Sequence, residues 1–279
     1  MAQGSRSRRI DSHVHLLRKS KLCQLPVLFG KWLNLDEPPV GSFYERVFTP
    51  PRLFWLFLAQ VLSADRSCRE AVQMAQAWIA VEQGDLVCTS TSAYCQGRQR
   101  LPTDWLSKLS NGILEQLAST LAGQHTWFGF RVKVVDGTTV SLADTPANQK
   151  PYRQSSRQKP GCGFPLMRLA CSFCLGSGAL LAWVYGGLRD SERTLWHRLW
   201  NGFSVGDLVV TDRGFCGYAD IWSLSQRGVH TVMRANGRRS AGVREVRRLG
   251  KKDRLVEWTR SVRPKWMDKA TWQSVPQTM

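Results

Sequence analysis

Two acidic residues in this sequence sit where chemistry could be placed. Val134-Val135-Asp136-Gly137-Thr138-Thr139 sets a carboxylate inside an apolar, β-branched run with glycine directly after it. Val209-Val210-Thr211-Asp212-Arg213-Gly214-Phe215 repeats the arrangement. Each segment also has an ordinary structural explanation, because Asp-Gly forms turns and an Asp after a short strand caps helices. If the two strands are neighbours, the carboxylates meet at one end of a sheet, where two hard oxygen ligands could bridge magnesium or manganese ions. A pair of such ions, roughly 3.5 to 4 Å apart, activates an attacking water or 3′-hydroxyl and stabilises the leaving oxygen in phosphodiester displacement. Two carboxylates rarely suffice for this, so a third acid is expected.

The elements that must position these acids follow from the change of period after Gly129. Strands are predicted over Phe130 to Val140, Leu166 to Leu175, Ala179 to Tyr185, Asp207 to Thr211 and Val229 to Met233, with helices over Ser191 to Trp200 and Tyr218 to Arg227. Three antiparallel strands followed by helix-linked parallel pairing is the order of a ribonuclease-H-like mixed sheet, with the first and fourth strands side by side. Upstream, from about residue 16 to 125, apolar residues recur three and four apart, as in Pro51 to Leu62, Cys68 to Val81 and Asp104 to Leu121. An all-α region therefore precedes an α/β core, giving an α+β chain overall. Ser90 to Pro102 reads as a short polar helix that could lay Arg98 and Arg100 on phosphates, or equally serve as a solvated linker.

With those elements placed, the chain resembles the DDE class of insertion-sequence transposases, in the group named after the fourth insertion sequence. The resemblance covers about residues 40 to 279 and rests on VVDGTTVSLADTPANQ from Val134 to Gln149, KPGCGFPLMRL from Lys159 to Leu169, and VVTDRGFCGYADIWSLSQRGV from Val209 to Val229. It implies that Asp136 and Asp212 are the first two catalytic acids and that they hold two Mg2+ or Mn2+ ions in the complete enzyme. It further implies DNA cleavage and strand transfer, double-stranded DNA as partner (the terminal inverted repeats and the target), a homodimer on that DNA, and a place in the bacterial cytoplasm with the nucleoid. On this basis residues 1–128 form a helical DNA-binding domain, 129–234 a partial catalytic core, and 235–279 the incomplete start of an inserted β-rich domain.

The third acid of that group lies on a helix beyond the inserted domain, among Tyr, Arg, Glu and Lys at fixed spacing. No Tyr follows Tyr218, and Asp220, Glu245, Asp253, Glu257 and Asp268 lack that context. The expectation is a truncated chain without its catalytic glutamate, inactive alone, with the region of Trp258, Trp266 and Trp272 short of partner strands. The rival reading is a catalytically dead DNA-binding remnant, or an inhibitor of a full-length relative.

Charge agrees with a polyanionic partner. The formal net charge is +18 and the pI near 10.1. Residues 234–269 hold 13 Lys or Arg against 4 Asp or Glu, a net of +9, so Arg247, Arg248, Lys251 and Lys252 are expected on DNA phosphates. Arg213, beside Asp212, could meet a phosphate or the acid itself, or be a solvated charge.

Other features exclude alternatives. The basic N-terminus lacks the apolar core of a secretory signal, and the eight Cys are read as reduced. Cys171-x-x-Cys174 has no second pair or nearby His, which favours strand cysteines over a zinc or redox site. Leu169 to Leu188 is long enough to span a bilayer, but Gly176-Ser177-Gly178 at its centre marks a hairpin of buried strands. Asp11-Ser12-His13-Val14-His15 imitates the first-strand HxH of metal-dependent amidohydrolases, yet its flanks are polar and no later His cluster exists. A hydrolase built on His13 and His15 is thus a third, weaker reading. Asp144 could be a ligand, but its Asp144-Thr145-Pro146 context favours a turn.

Overall fold

The computed structural model describes residues 24–33, 35, 47–83, 90–121, 123–159, 161–235, 242–260 and 262–279. Asp11, His13 and His15 lie outside the described residues, as do Cys23, Cys88, Arg238 and Arg239. The chain divides into two compact units, residues 1–116 and 117–279.

The first unit is helical, with α1 (Gln24–Phe29), α2 (Pro50–Leu62), α3 (Cys68–Gln83), α4 (Ser92–Arg100) and most of α5 (Thr103–Leu121). Prolines at the first positions of α2 cost no hydrogen bond there and fix its start. Leu53, Leu56 and Ala59 of α2 and Ala71, Val72 and Ala75 of α3 recur at helical spacing and are all buried, together with Tyr94 and Trp105. Helix α4 comes so close to α2 that a Cβ on Gly97 would stand 2.8 Å from the Leu53 side chain. Buried polar groups are matched: the Tyr94 hydroxyl donates to Gln60 Oε1 at 2.7 Å, and Gln60 Nε2 donates to the Arg66 carbonyl at 2.8 Å.

The second unit is a mixed sheet. Its strands are β1 (Thr126–Trp127), β2 (Phe130–Ser141), β3 (Leu166–Cys174), β4 (Leu180–Gly186), β5 (Asp207–Thr211) and β6 (His230–Met233), in the order β4-β3-β2-β5-β6 with β1 on β2. Pairing is antiparallel from β4 to β2 and parallel from β2 to β6. The apolar run from Leu169 to Leu188 is indeed a hairpin, closed by Gly178 at φ 74° with its N–H on the Cys174 carbonyl. Among the described residues no helix is long and apolar enough to cross a membrane.

After the short helix α6 (Pro146–Gln149), helices α7 (Glu192–Leu199) and α8 (Tyr218–Gln226) cover the sheet face that carries Val135, Ala170 and Val209. Ser191 caps α7 by accepting the Thr194 N–H. Trp196, fully buried, packs against Trp200, Phe203 and Phe215. At the amino ends of β2 and β5 the buried Asp207 carboxylate takes Arg131 at 2.8 Å and Lys133 at 2.7 Å.

Beyond β6 stands a separate two-stranded sheet, β7 (Val243–Arg248) with β8 (Arg254–Trp258). The last residues do have partners, which corrects the expectation for the tryptophan region. Trp258 and Met279 exchange backbone hydrogen bonds of 2.8 and 3.0 Å, and Met267 and Val275 are buried against Tyr218 and Ala219 of α8. Trp266 lies on His197, ring centroids 4.3 Å apart. The short helix α9 (Lys269–Ser274), capped by Asp268, closes this segment.

Candidate active site

Register places the two acids. On β2 and β5 the last registered pair is Val134 with Val210, and two further residues on each strand bring Asp136 level with Asp212, the first residue past β5. Neighbouring strands run about 4.8 Å apart, so the two backbones stand side by side at the carboxyl ends of the parallel pair. Both side chains are exposed. Each is oriented by the backbone just after it: Asp136 Oδ1 accepts the Gly137 N–H at 2.8 Å, and Asp212 Oδ1 accepts the Gly214 N–H at 2.7 Å. In both cases Oδ2 stays outside these bonds. Gly214 is needed for this, since a Cβ there would stand 2.9 Å from Asp212 Oδ1.

Across the sheet the row continues. Cys171 of β3 is opposite Asp136, and Trp183 of β4 is opposite Cys171. Burial pushes the Cys171 thiol up, and the Asp136 charge adds to the effect. Trp183 and Tyr185 stack, centroids 5.6 Å apart. Cys171 and Cys174, three apart on one strand, point to opposite faces and cannot share a metal.

The loop after Asp212 is anchored from behind, through contacts that the sequence pattern does not disclose. Phe215 and Cys216 are buried, and Asp220 of α8, fully buried, accepts from Arg193 and meets His197 Nε2 at 2.6 Å. A buried carboxylate held by a guanidinium and an imidazole ties α8 to α7, fixing the loop between β5 and α8.

No third acid joins the pair: among the described residues no group of three or more His, Cys, Asp or Glu could hold a metal. Glu245 and Glu257 are engaged with Arg254 at 3.2 Å and Arg244 at 2.8 Å. Glu192 lies by the face of β2 opposite Asp136, its Cγ 4.0 Å from a Cβ built on Gly137.

The expected phosphate-binding residues fall in separate places. Arg98 is turned inward, with Nη1 on Gln60 Oε1 at 2.7 Å and its guanidinium over the Phe57 and Tyr94 rings, so it braces α4. Arg100, at the end of α4, is exposed, as is Arg213 next to Asp212. Arg247 and Arg248 lie on the fully exposed β7, and Lys251 and Lys252 on the turn that follows it.

The second unit is thus a mixed sheet with two carboxylates level at the carboxyl ends of neighbouring parallel strands, and similarity to known proteins says which family the chain belongs to. Residues 127–274, just over half the chain, match the family model described as transposase DDE domain, and the chain belongs to that family. It is 29% identical over 188 residues to transposase InsG for insertion sequence element IS4 of Escherichia coli strain K12, covering 66% of this chain and 42% of that one. It is 26% identical over 141 residues to the putative transposase InsZ of the same strain, covering 49% and 46%. The chain thus spans less than half the length of the curated relatives it matches. A cryo-EM structure of the piggyBac transposase synaptic complex with hairpin DNA aligns over 88% of this chain and 60% of that one, at 10% identity and a TM-score of 0.39.

Proposed function

We propose that the protein is an insertion-sequence transposase whose ribonuclease-H-like core, residues 129–234, contributes two acids, Asp136 and Asp212, to metal-dependent cleavage and joining of double-stranded DNA. The observation that carries this is the level placement of those acids on adjacent strands, inside the span that matches the DDE family. Their donor set suits a hard divalent cation, because both side chains are carboxylates, exposed, and each keeps Oδ2 outside its hydrogen bond to the backbone. Magnesium or manganese bound there would activate the attacking oxygen and stabilise the leaving one. The chain's own part is to hold the carboxylates in place, through the Gly137 and Gly214 N–H groups and the α7–α8 anchor behind Asp212.

Residues 1–128 would bind the element ends and residues 235–279 would begin an inserted β-rich domain, with a second copy completing a dimer on the DNA. Arg100, Arg213, Arg247, Arg248, Lys251 and Lys252 would contact phosphates. With two acids alone, the chain as it stands would bind DNA without cleaving it, because losing one ligand misplaces the ions and the attacking oxygen. A catalytically dead DNA-binding remnant, or an inhibitor of a full-length relative, would share that behaviour.

The test has two arms. Affinity for duplex DNA should fall with salt at a log-log slope of about −0.9 per phosphate contact, and charge reversal at Arg247, Arg248, Lys251 and Lys252 should weaken all sequences alike. A flat salt profile overturns the DNA reading. Mg2+-dependent cleavage should appear only when a C-terminal segment with the Tyr, Arg, Glu and Lys helix is supplied, and should vanish in Asp136→Asn. Robust Asp136-dependent cleavage by the unextended chain overturns the inactive reading.

A further inference from the structure

The hairpin that opens the sheet is built against ordinary backbone preference. Trp127 of β1 pairs with Phe130 of β2, leaving Phe128 and Gly129 as a two-residue turn. Both adopt left-handed backbone, at φ 48° and 82°, as turns of this kind require. Glycine does so without strain, whereas a bulky aromatic there is a genuine outlier. His125, three residues earlier, is left-handed as well, at φ 54°.

The strain is not offset by burial. Phe128 is 83% exposed and Trp127 56%, the two rings meeting edge to face at 4.7 Å. Aromatic surface held in water by a strained turn contributes little to folding, and such features gather where a ligand is met. One basic side chain flanks the tip. Arg131 is paired across from Thr126, with its side chain 40% exposed while it holds the buried Asp207. His125 and His230 are exposed, the latter with its ring 4.8 Å from Phe130.

We propose that Trp127 and Phe128 form a stacking tip for an unpaired nucleobase of DNA, with Arg131 on the neighbouring phosphate. Aromatic faces stack on any base, but only one that has left the duplex stack can receive them. The net charge of +18 and the partly exposed Arg131 beside the tip favour a polyanion over an apolar protein surface. The tip lies at the amino end of β2 and Asp136 lies six residues beyond Phe130, roughly 20 Å along the strand. The stacked nucleotide is therefore not the one whose phosphate the acids address. This inference rests on the DNA reading above.

The experiment compares three DNAs with the full chain: an intact duplex, the same duplex with one bulged nucleotide, and the same bulge with an abasic site. The bulged base should bind on the order of tenfold tighter than the abasic bulge. Phe128→Asn creates Asn-Gly, the pair this turn prefers, so it should raise Tm while abolishing the preference. Trp127→Ala should abolish the preference too. Equal binding of all three DNAs by the unaltered protein, or a preference retained in Phe128→Asn, overturns the proposal. So does a lower Tm in Phe128→Asn, which would make the ring structural. A changed oligomeric state with the preference intact would assign the tip to protein contact and also overturn it. Failure to bind any of the DNAs would bring down the DNA reading itself, a result distinct from binding without preference.

Discussion

Asp207, buried at the first position of β5, takes Lys133 of β2 as its partner, Nζ to Oδ2 at 2.7 Å. Arg131 Nε holds the other oxygen, and the Ser204 N–H shares Oδ2 at 2.8 Å. These contacts stitch the start of β5 to the start of β2 and select the pairing of Arg131 with Asp207. A slip of one residue would send every side chain of β5 to the other face and take Asp212 out of level with Asp136. The distant ion pairs are thus in register with the level placement of the acids. Asp207→Asn, which leaves Lys133 largely buried without its counter-charge, should cost about 3 kcal/mol or more in denaturant unfolding. A cost below about 1 kcal/mol would mean that the pairing register is fixed by other contacts.

Metal binding should depend on the level pair and not on the hairpin acids. Asp136→Asn and Asp212→Asn should each weaken Mn2+ binding, measured by calorimetry or paramagnetic resonance, with Tm almost unchanged because both side chains are exposed. Glu245→Gln and Glu257→Gln, each engaged with an arginine of the β7–β8 hairpin, should leave Mn2+ binding as it is. Loss of binding in either glutamate variant would relocate the site.

Much of this was legible in the sequence because the β-branched runs at Val132 to Val135 and Leu208 to Val210 can only be buried strands, and period two with helix-length spacers dictates the sheet order. Asp136 and Asp212 stood out since an acid at the end of such a run breaks the pattern. The stitching by Asp207 did not, because an acid that opens a predicted strand carries no mark of its partners, which lie 74 and 76 residues away in the chain. The same holds for Asp220 with Arg193 and His197, where spacing carries no trace of the contact. Strand β1 is two residues long, too short for any periodic signal, so a sequence boundary near 128 differs from the division at Gln116. Arg98 looked like a surface charge on a polar helix, and only the packing of α4 on α2 turns it inward.

The first unit should lose stability in alkali through Tyr94. Its phenol, buried beneath Gln60 and donating to Gln60 Oε1 at 2.7 Å, is pushed up to about 12 by burial, against the lowering influence of Arg98. Between pH 10 and about 12 the unfolded chain ionises this group while the folded one keeps its proton, so stability present below pH 10 is lost as pH rises. Tyr94→Phe should lower stability at pH 7 by about 1 kcal/mol, for the lost hydrogen bond, yet flatten the alkaline decline of the helical unit, followed by circular dichroism. An unaltered decline in the variant would assign the transition to other groups.

The last eighteen residues should behave as part of the core that holds Asp212. Met267 and Val275 are 3% and 2% exposed, packed on Tyr218 and Ala219 at the start of α8. The Tyr218 hydroxyl donates to the Pro276 carbonyl at 3.0 Å, and Arg260 binds the Trp272 and Val275 carbonyls at 2.7 and 2.6 Å. Through Trp266 the same segment presses on His197, which holds Asp220 in turn. Amides of Met267, Trp272 and Val275, each bonded within the segment, should therefore exchange as slowly as those of α8, and much more slowly than those of the exposed β7–β8 hairpin. Met267→Ala should cost about 2 to 3 kcal/mol and quicken exchange in α8 and in the loop from Asp212 to Gly217. Exchange in this segment at the rate of an unfolded peptide, or a Met267→Ala variant with α8 protection unchanged, would show that the segment does not support the site.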